Sequence, residues 1–399
     1  MKNIFKLTLI LLVLSSCKKD KNIVVCAEDW EADIPGVWLK GDFHVHSTGA
    51  SNDTGGDSWP IDIKNKAIER GLDFVVLTDH SNSTGSDHTT TYEDPALFNQ
   101  GPEFPYWDTA AAYTDANFIM INGNEISPVN PDNSVPTGHI GCIPVNLSTF
   151  DKDYVFIDRP KGAVNGAQSL QQATAAGCFK IINHPYAITR WLAYDWTSFD
   201  YDAIEIWNGT LGFDDFDYYG YSAWICDLLK GVNTIAIGGS DNHRVHTVPP
   251  GDILNPPLAF PYTAVYATGF SWNEIMDAVK NRDTYVAEGE SVLILNDYTE
   301  GKCHANGENV YWVRLRGKAD ANIENPKLTL YNYTSCNDPR PSTTEYPELT
   351  EAILYEKELT PNEEFDIAVA VGGKKGVINA MIKGGTTHYG AISKAVVLK

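Results

Sequence analysis

Between about residues 40 and 290, short apolar runs alternate with segments whose apolar positions recur at helical spacing. The runs at 40–46, 74–78, 118–122, 140–145, 180–183, 203–207, 234–238 and 263–267 read as strands. Helical patterns fall at 61–70, 169–176, 218–230 and 272–281. Near-continuous apolar strands separated by helices predict parallel βα units with both sheet faces covered. Seven or eight such units predict an α/β fold, a closed barrel of the triosephosphate-isomerase kind.

After residue 290 the period changes to two. Tyr311, Val313 and Leu315 alternate with Trp312, Arg314 and Arg316, and strand-like runs follow at 327–333, 352–355, 365–371 and 377–382. Gly, Pro and Asn separate these runs and no helical pattern intervenes. That predicts a small C-terminal β-sandwich over 291–399, behind a barrel over 40–290.

The 399 residues are 43% hydrophobic, enough for a large core and too apolar for a mainly disordered chain. Lys and Arg total 30 against 52 Asp and Glu, a net charge of −22. A surface of that sign repels polyanions, so nucleic acid is not the expected partner. Residues 1–16 begin Met-Lys-Asn-Ile-Phe-Lys, continue through an apolar stretch from Leu7 to Leu14, and end on Ser15 and Ser16. This has the form of a signal segment. Leu14-Ser15-Ser16-Cys17 resembles the lipobox of bacterial lipoproteins, which implies an exported protein held to a membrane through a lipidated Cys17, with 17–39 as a tether. Six further cysteines remain. Export permits disulfides; Cys303 with Cys336 is the expected pair, while Cys142, Cys178 and Cys226 are expected to be isolated buried thiols.

The candidate chemistry sits at the ends of the predicted strands. His44 and His46 close the first and, two apart, share a face. Asp79 and His80 close the second, Glu125 follows the third, His139 precedes the fourth, His184 closes the fifth, and Asp241 and His243 follow the seventh. Residues just past barrel strands converge on one mouth. Imidazoles and carboxylates gathered there would be costly unless paired, and mixed His and Asp/Glu donors suit divalent zinc, iron or manganese. Eight donors exceed one tetrahedral ion, so two or three ions are expected, with Glu125 the natural bridge. Such clusters acidify bound water and clamp the oxygens of an in-line displacement, which points to hydrolysis.

The ordered series His-x-His, Thr-Asp-His, Glu, His, Asn-His-Pro and Ser-Asp-x-His resembles the PHP (polymerase and histidinol phosphatase) superfamily over residues 40 to about 290. The resemblance implies a distorted (β/α)7 barrel with up to three metals and, for most members, phosphoesterase activity. It implies that His44, His46, Glu125 and Asp241 hold one metal, that Glu125 bridges to a second held by His139 and His184, and that His80 and His243 hold the third. The family often has another His or Asp a few residues after His-x-His. Here Asn52 stands at that place, and Asp53 could substitute only if the loop bulges.

The segment from Trp272 to Val286 and the β region behind it are similar to the exported, carbaryl-hydrolase-like branch. That branch keeps open a carboxylic or carbamate ester as the alternative substrate to a small phosphorylated ester. A third reading is a non-catalytic glycan-binding surface protein that uses the sandwich and exposed aromatics. Arg190 and Arg244, beyond His184 and His243, are candidates to meet a phosphate oxyanion. Asp79 is a candidate to orient a ligand or to cap its loop. His88 and His246 are candidate general acids. Trp107, Tyr186, Trp191, Trp196 and Trp207 could wall the mouth or pack beneath it.

Overall fold

In the computed structural model the described residues are 36–51, 53–54, 56–80, 102–127, 138–156, 164–187, 196, 198–209, 212–249, 251, 256–298, 311–342, 344–371, 375–385 and 388–398, with the backbone of 24–26, 303–305 and 308–309. The expected signal segment, Cys17, Asn52, His88, Arg190 and Trp191 lie outside them.

The elements run β1 (Val24–Cys26), β2 (Val37–Val45), α1 (Pro60–Glu69), β3 (Phe74–Leu77), α2 (Trp107–Tyr113), β4 (Ile119–Asn122), β5 (Asn124–Ile126), β6 (Ile140–Pro144), α3 (Gly166–Ala176), β7 (Cys178–Ile182), β8 (Ala203–Asn208), α4 (Asp215–Leu229), β9 (Ile235–Gly239), β10 (Tyr262–Ala267), α5 (Trp272–Lys280) and β11 (Thr284–Ala287). There follow β12 (Val292–Tyr298), β13 (Cys303–Ala305), β14 (Glu308–Asn309), β15 (Trp312–Lys318), β16 (Lys327–Asn337), β17 (Glu348–Glu358), β18 (Phe365–Ala370), β19 (Gly376–Gly384), β20 (His388–Ser393) and β21 (Val396–Leu398). Every strand and helix window read from the pattern coincides with one of these. The pattern did not show α2, only seven residues long and without a side-chain N-cap bond. No described helix is long and apolar enough to cross a membrane.

The strands β2, β3 and β4 are parallel neighbours, and so are β7, β8 and β9. Between the two groups the chain passes from β4 through Gly123 straight into β5, and β6 runs antiparallel to both β5 and β7. On the far side, β2 packs against β9, and the one backbone bridge described there joins Val45 to Asn242, just past β9, backed by the His46 N–H bond to the Asn242 carbonyl at 2.9 Å. The expectation of uniformly parallel βα units is therefore corrected, and among the described residues hydrogen bonding does not close a barrel.

The C-terminal strands extend the first sheet, whose order is β17-β16-β19-β20-β11-β10-β2-β3-β4, through the pairing of β11 with β20. A three-stranded sheet, β12-β15-β18, lies against this extension, and Leu293, Leu295, Val313 and Leu315 share one core with Leu328, Leu330, Ile378 and Ile382. Burying such side chains contributes roughly 1.5–3 kcal/mol each, before the entropy of ordering them.

Further ties hold α4 to this region. Tyr221 Oη lies 2.9 Å from Tyr333 Oη and 3.0 Å from Asn379 Oδ1, its one proton shared between these hydrogen bonds. Cys226 of α4 is bonded to Cys336 of β16, with Cα atoms 5.5 Å apart. A second disulfide joins Cys142 and Cys178, Cα–Cα 4.9 Å, on the adjacent strands β6 and β7. Both overturn the cysteine expectation: Cys336 is taken by Cys226 rather than Cys303, and Cys142, Cys178 and Cys226 are not free thiols. In the backbone register Cys303 stands opposite Cys26. Helix and strand contacts distant in sequence set these pairings, and spacing carries no trace of them.

Candidate metal centre

The donors expected from the sequence come together. His44 and His46 sit at the end of β2 on one face, His80 follows β3, Glu125 is the middle residue of β5, His139 precedes β6, His184 follows β7, and Asp241 and His243 follow β9. All are buried or nearly so, and Glu125 is 1% exposed at their centre. Its Oε1 lies 3.0 Å from His44 Nε2, 3.0 Å from His139 Nδ1 and 3.1 Å from His184 Nε2. Its Oε2 lies 3.3 Å from His80 Nδ1 and 3.6 Å from His46 Nε2. Asp241 Oδ1 stands 3.2 Å from His44 Nε2 and 3.1 Å from His46 Nε2.

The backbone is bent to achieve this. His184 has φ 26° and Asp241 φ 51°, both in the left-handed region that non-glycine residues enter rarely and that is common at functional sites. Beside them Gly239 is required by close approach: a Cβ there would lie 2.5 Å from His44 Cβ and 2.9 Å from Glu205 Oε1.

The outer nitrogens of three imidazoles are engaged. His44 Nδ1–H donates to Glu205 at 2.9 Å, His46 Nδ1–H to Ser51 Oγ at 2.9 Å, and His243 Nδ1–H to the Asp241 carbonyl at 2.8 Å. With Nδ1 as the donor, Nε2 presents its lone pair to the interior, the arrangement of a metal-binding imidazole. His80 is turned the other way, its Nδ1 3.3 Å from Glu125 Oε2 and 3.2 Å from Ser127 Oγ. The buried Nε2 atoms of His44, His46 and His243 make no hydrogen bond, although carboxylate oxygens stand close by. Lone pairs facing lone pairs at such distances are stable only with positive charge between them. These donor atoms cluster within 4.8 Å of one another as His44–His46–Asp241, His44–Glu125–His184, His80–Glu125–His139 and His46–Asp53–His80–His243.

The electrostatics agree. Burial opposes protonation of His44, yet Asp241, Glu205 and Glu125 drive its pKa well above the usual value. Burial likewise opposes His243, but Asp53 lifts it to about 10. Glu125 is held well below the carboxylate range, against its burial, by His139 and His44. Burial, helped by the neighbouring His243, pushes His46 down to about 3, and burial takes His139 to about 4. The cluster thus calls for cations at its carboxylates while keeping some imidazoles neutral, which suits divalent ions.

Asp53 answers the question its loop posed. Oδ2 lies 3.4 Å from His80 Nε2 and 3.2 Å from His243 Nε2, so Asp53 faces the centre and joins a third donor group. The Asp79 carboxylate is held by two serines. It accepts from Ser47 N–H at 2.5 Å, Ser47 Oγ at 2.6 Å and Ser51 Oγ at 3.0 Å. Ser51 in turn holds His46 and the His80 amide, so capping and orienting are one function here.

Arg244 is exposed beside His243 and its side chain makes no hydrogen bond or ion pair among the described residues. His246 is exposed as well. Of the two readings for the aromatics, packing holds for those described: Tyr186, Trp196 and Trp207 are buried in the core, and Trp107, at the start of α2, stacks on Phe150 at 5.4 Å. Two further acids support the donors: Asp42, two residues before His44 in the sequence, and Glu205, which escaped the sequence reading. Asp42 accepts the amides of His44, Ser240 and Ala259 at 3.2, 3.0 and 2.9 Å, tying β2 to the loop after β9. Glu205 contacts His44. The available signal was a lone carboxylate inside an apolar strand.

No family model and no curated protein matches the chain. Among solved structures it is similar to a two-domain protein of Bacteroides vulgatus ATCC 8482 containing a predicted PHP-like metal-dependent phosphoesterase. That match has 17% identity over 95% of this chain and 100% of the other, with a TM-score of 0.45. It is also similar to the lesion-specific endonuclease Q of Pyrococcus furiosus, at 16% identity over 61% of this chain and 56% of the other, TM-score 0.40. PsfC of Pseudomonas syringae PB-5123 aligns at 16% identity over 62% of this chain and 90% of the other, TM-score 0.37.

Proposed function

We propose that this chain is a metal-dependent phosphoesterase of the PHP type, acting on a small phosphorylated ester with two or three divalent ions, zinc before iron or manganese. One observation carries the reading: donors from separate strand ends meet around the single buried carboxylate of Glu125. Bound there, the ions would supply Lewis acidity and an acidified water. The residues that would hold them are His44, His46, Glu125 and Asp241 for one, Glu125, His139 and His184 for a second, and His80, His243 and Asp53 for a third.

The protein's own part is to exclude bulk water and to keep the Nε2 atoms of His44, His46 and His243 aimed inward through their Nδ1 partners. Arg244 at the rim, with Arg190, would meet a phosphate oxygen as a planar fork. In this reading the strands between 40 and 290 form the distorted (β/α)7 barrel and 291–399 the β-sandwich. The two disulfides support an oxidising compartment, in keeping with an exported lipoprotein anchored through Cys17.

Protein purified without chelator is expected to carry at least two ions per chain and to release phosphate from an aryl phosphate. The His44→Ala protein is expected to lose bound metal and activity together. Turnover of an aryl ester with none of the phosphate would shift the reading to a carboxylic or carbamate ester. Undiminished turnover by a metal-free His44→Ala protein would end it. Separately, Asp53→Ala is expected to lower the ion count by about one per chain while the remaining ions stay, measured by elemental analysis. An unchanged count would remove Asp53 from the donor set.

A further inference from the structure

Glu205 lies on β8 among Ala203, Ile204, Ile206 and Trp207, all buried, and its own side chain is 1% exposed. A carboxylate in such a place needs hydrogen-bond donors, and it finds them on three different segments. Oε1 accepts from His44 Nδ1–H at 2.9 Å. Oε2 accepts from the backbone N–H of His184 at 2.8 Å and from Asn208 Nδ2 at 2.9 Å. Asn208 Nδ2 in turn reaches Asp241 Oδ2 at 3.4 Å. One side chain therefore touches the His44 ring, the left-handed turn that presents His184, and the amide beside Asp241.

We infer that Glu205 is the positioning residue of this centre, fixing the His44 ring and the His184 turn so that both present nitrogen toward Glu125. The inference rests on reading the donor cluster as a metal centre. A side chain that merely filled space would leave the His44 ring free to carry its proton on either nitrogen. An ionised carboxylate only accepts, so it requires the proton on Nδ1 and leaves the Nε2 lone pair toward Glu125 and Asp241. Gly239 lets this contact form, since a Cβ there would strike both His44 and Glu205.

The test is Glu205→Gln, nearly the same shape but with an amide that can offer N–H to His44 and so permit the other tautomer. The full chain is stripped, then titrated with Zn(II) against a chromophoric chelator, and its Co(II)-loaded form is examined by visible absorption. We expect Zn(II) to bind about 10–100-fold more weakly than to wild type, with a changed Co(II) ligand-field spectrum. Tyr221→Phe, which removes buried hydrogen bonds away from the centre, should lower the Tm and leave both readouts alone. If Glu205→Gln does not fold, Glu205→Asp, which retracts the oxygens by one methylene, should weaken Zn(II) binding in the same direction.

A variant that loses only Tm, with wild-type Zn(II) affinity and Co(II) spectrum, overturns the role of Glu205 while the metal centre stands. Wild-type protein that binds neither ion overturns the centre itself, and this role with it.

Discussion

Replacing Glu125 with alanine is expected to lower turnover about a thousandfold or more and to strip more than one ion from the chain. Its two oxygens lie within 3.6 Å of five imidazole nitrogens, those of His44, His46, His80, His139 and His184. No other donor bears on so many others. Losing a bridging anion both removes ligand atoms and leaves the ions it joined facing one another unscreened. A loss of about 4 kcal/mol of transition-state stabilisation corresponds to roughly a thousandfold in rate. Glu125→Gln keeps the shape and discards the charge, so it should lie between wild type and alanine in ion count. Elemental analysis beside initial rates checks both. A Glu125→Ala protein that retains its full ion complement would mean that Glu125 bridges nothing.

The second large effect is on stability and lies at Arg340. Its guanidinium is fully buried, with Nη2 2.7 Å from Asp227 and 2.5 Å from Asp338, Nε 2.8 Å from Asp338, and Nη1 3.3 Å from Tyr201 Oη. The plane lies 4.8 Å over the Trp196 ring. Burial raises the pKa of Asp227 even with Arg340 beside it, which marks how poorly that carboxylate would fare alone. Arg340→Met should therefore cost about 3–5 kcal/mol, because an uncompensated buried charge remains. Adding Asp227→Leu removes that charge and should recover part of the loss. Melting curves of the single and double variants measure this. An Arg340→Met protein as stable as wild type would show that the cluster contributes nothing to folding.

The strand and helix windows were legible because burial on both faces writes near-continuous apolar runs, and the chemical residues stand out where those runs stop. His44 with His46, and Asp241 with His243, were readable as pairs because period two puts both on one side of the chain. Glu205 was not, since a single acid in a strand does not reveal which imidazole or amide it will meet. Asp53 was ambiguous because one residue of bulge decides whether a loop side chain faces in or out. The aromatic residues left two readings open, and Trp196 and Trp207 took the core.

Local order and donor identity are short-range properties: which residues alternate, which carry nitrogen or oxygen, and in what order they occur along the chain. The amino-acid sequence determined these unaided, and with them the eight expected donors. What waited on the tertiary structure was every property that depends on two distant segments meeting. These include the antiparallel β6, the sheet that runs on through β11 and β20, the partners of Cys142 and Cys226, and the carboxylate behind His44. Such contacts are chosen by the packing of whole elements against one another, and that choice has no counterpart in spacing along the chain.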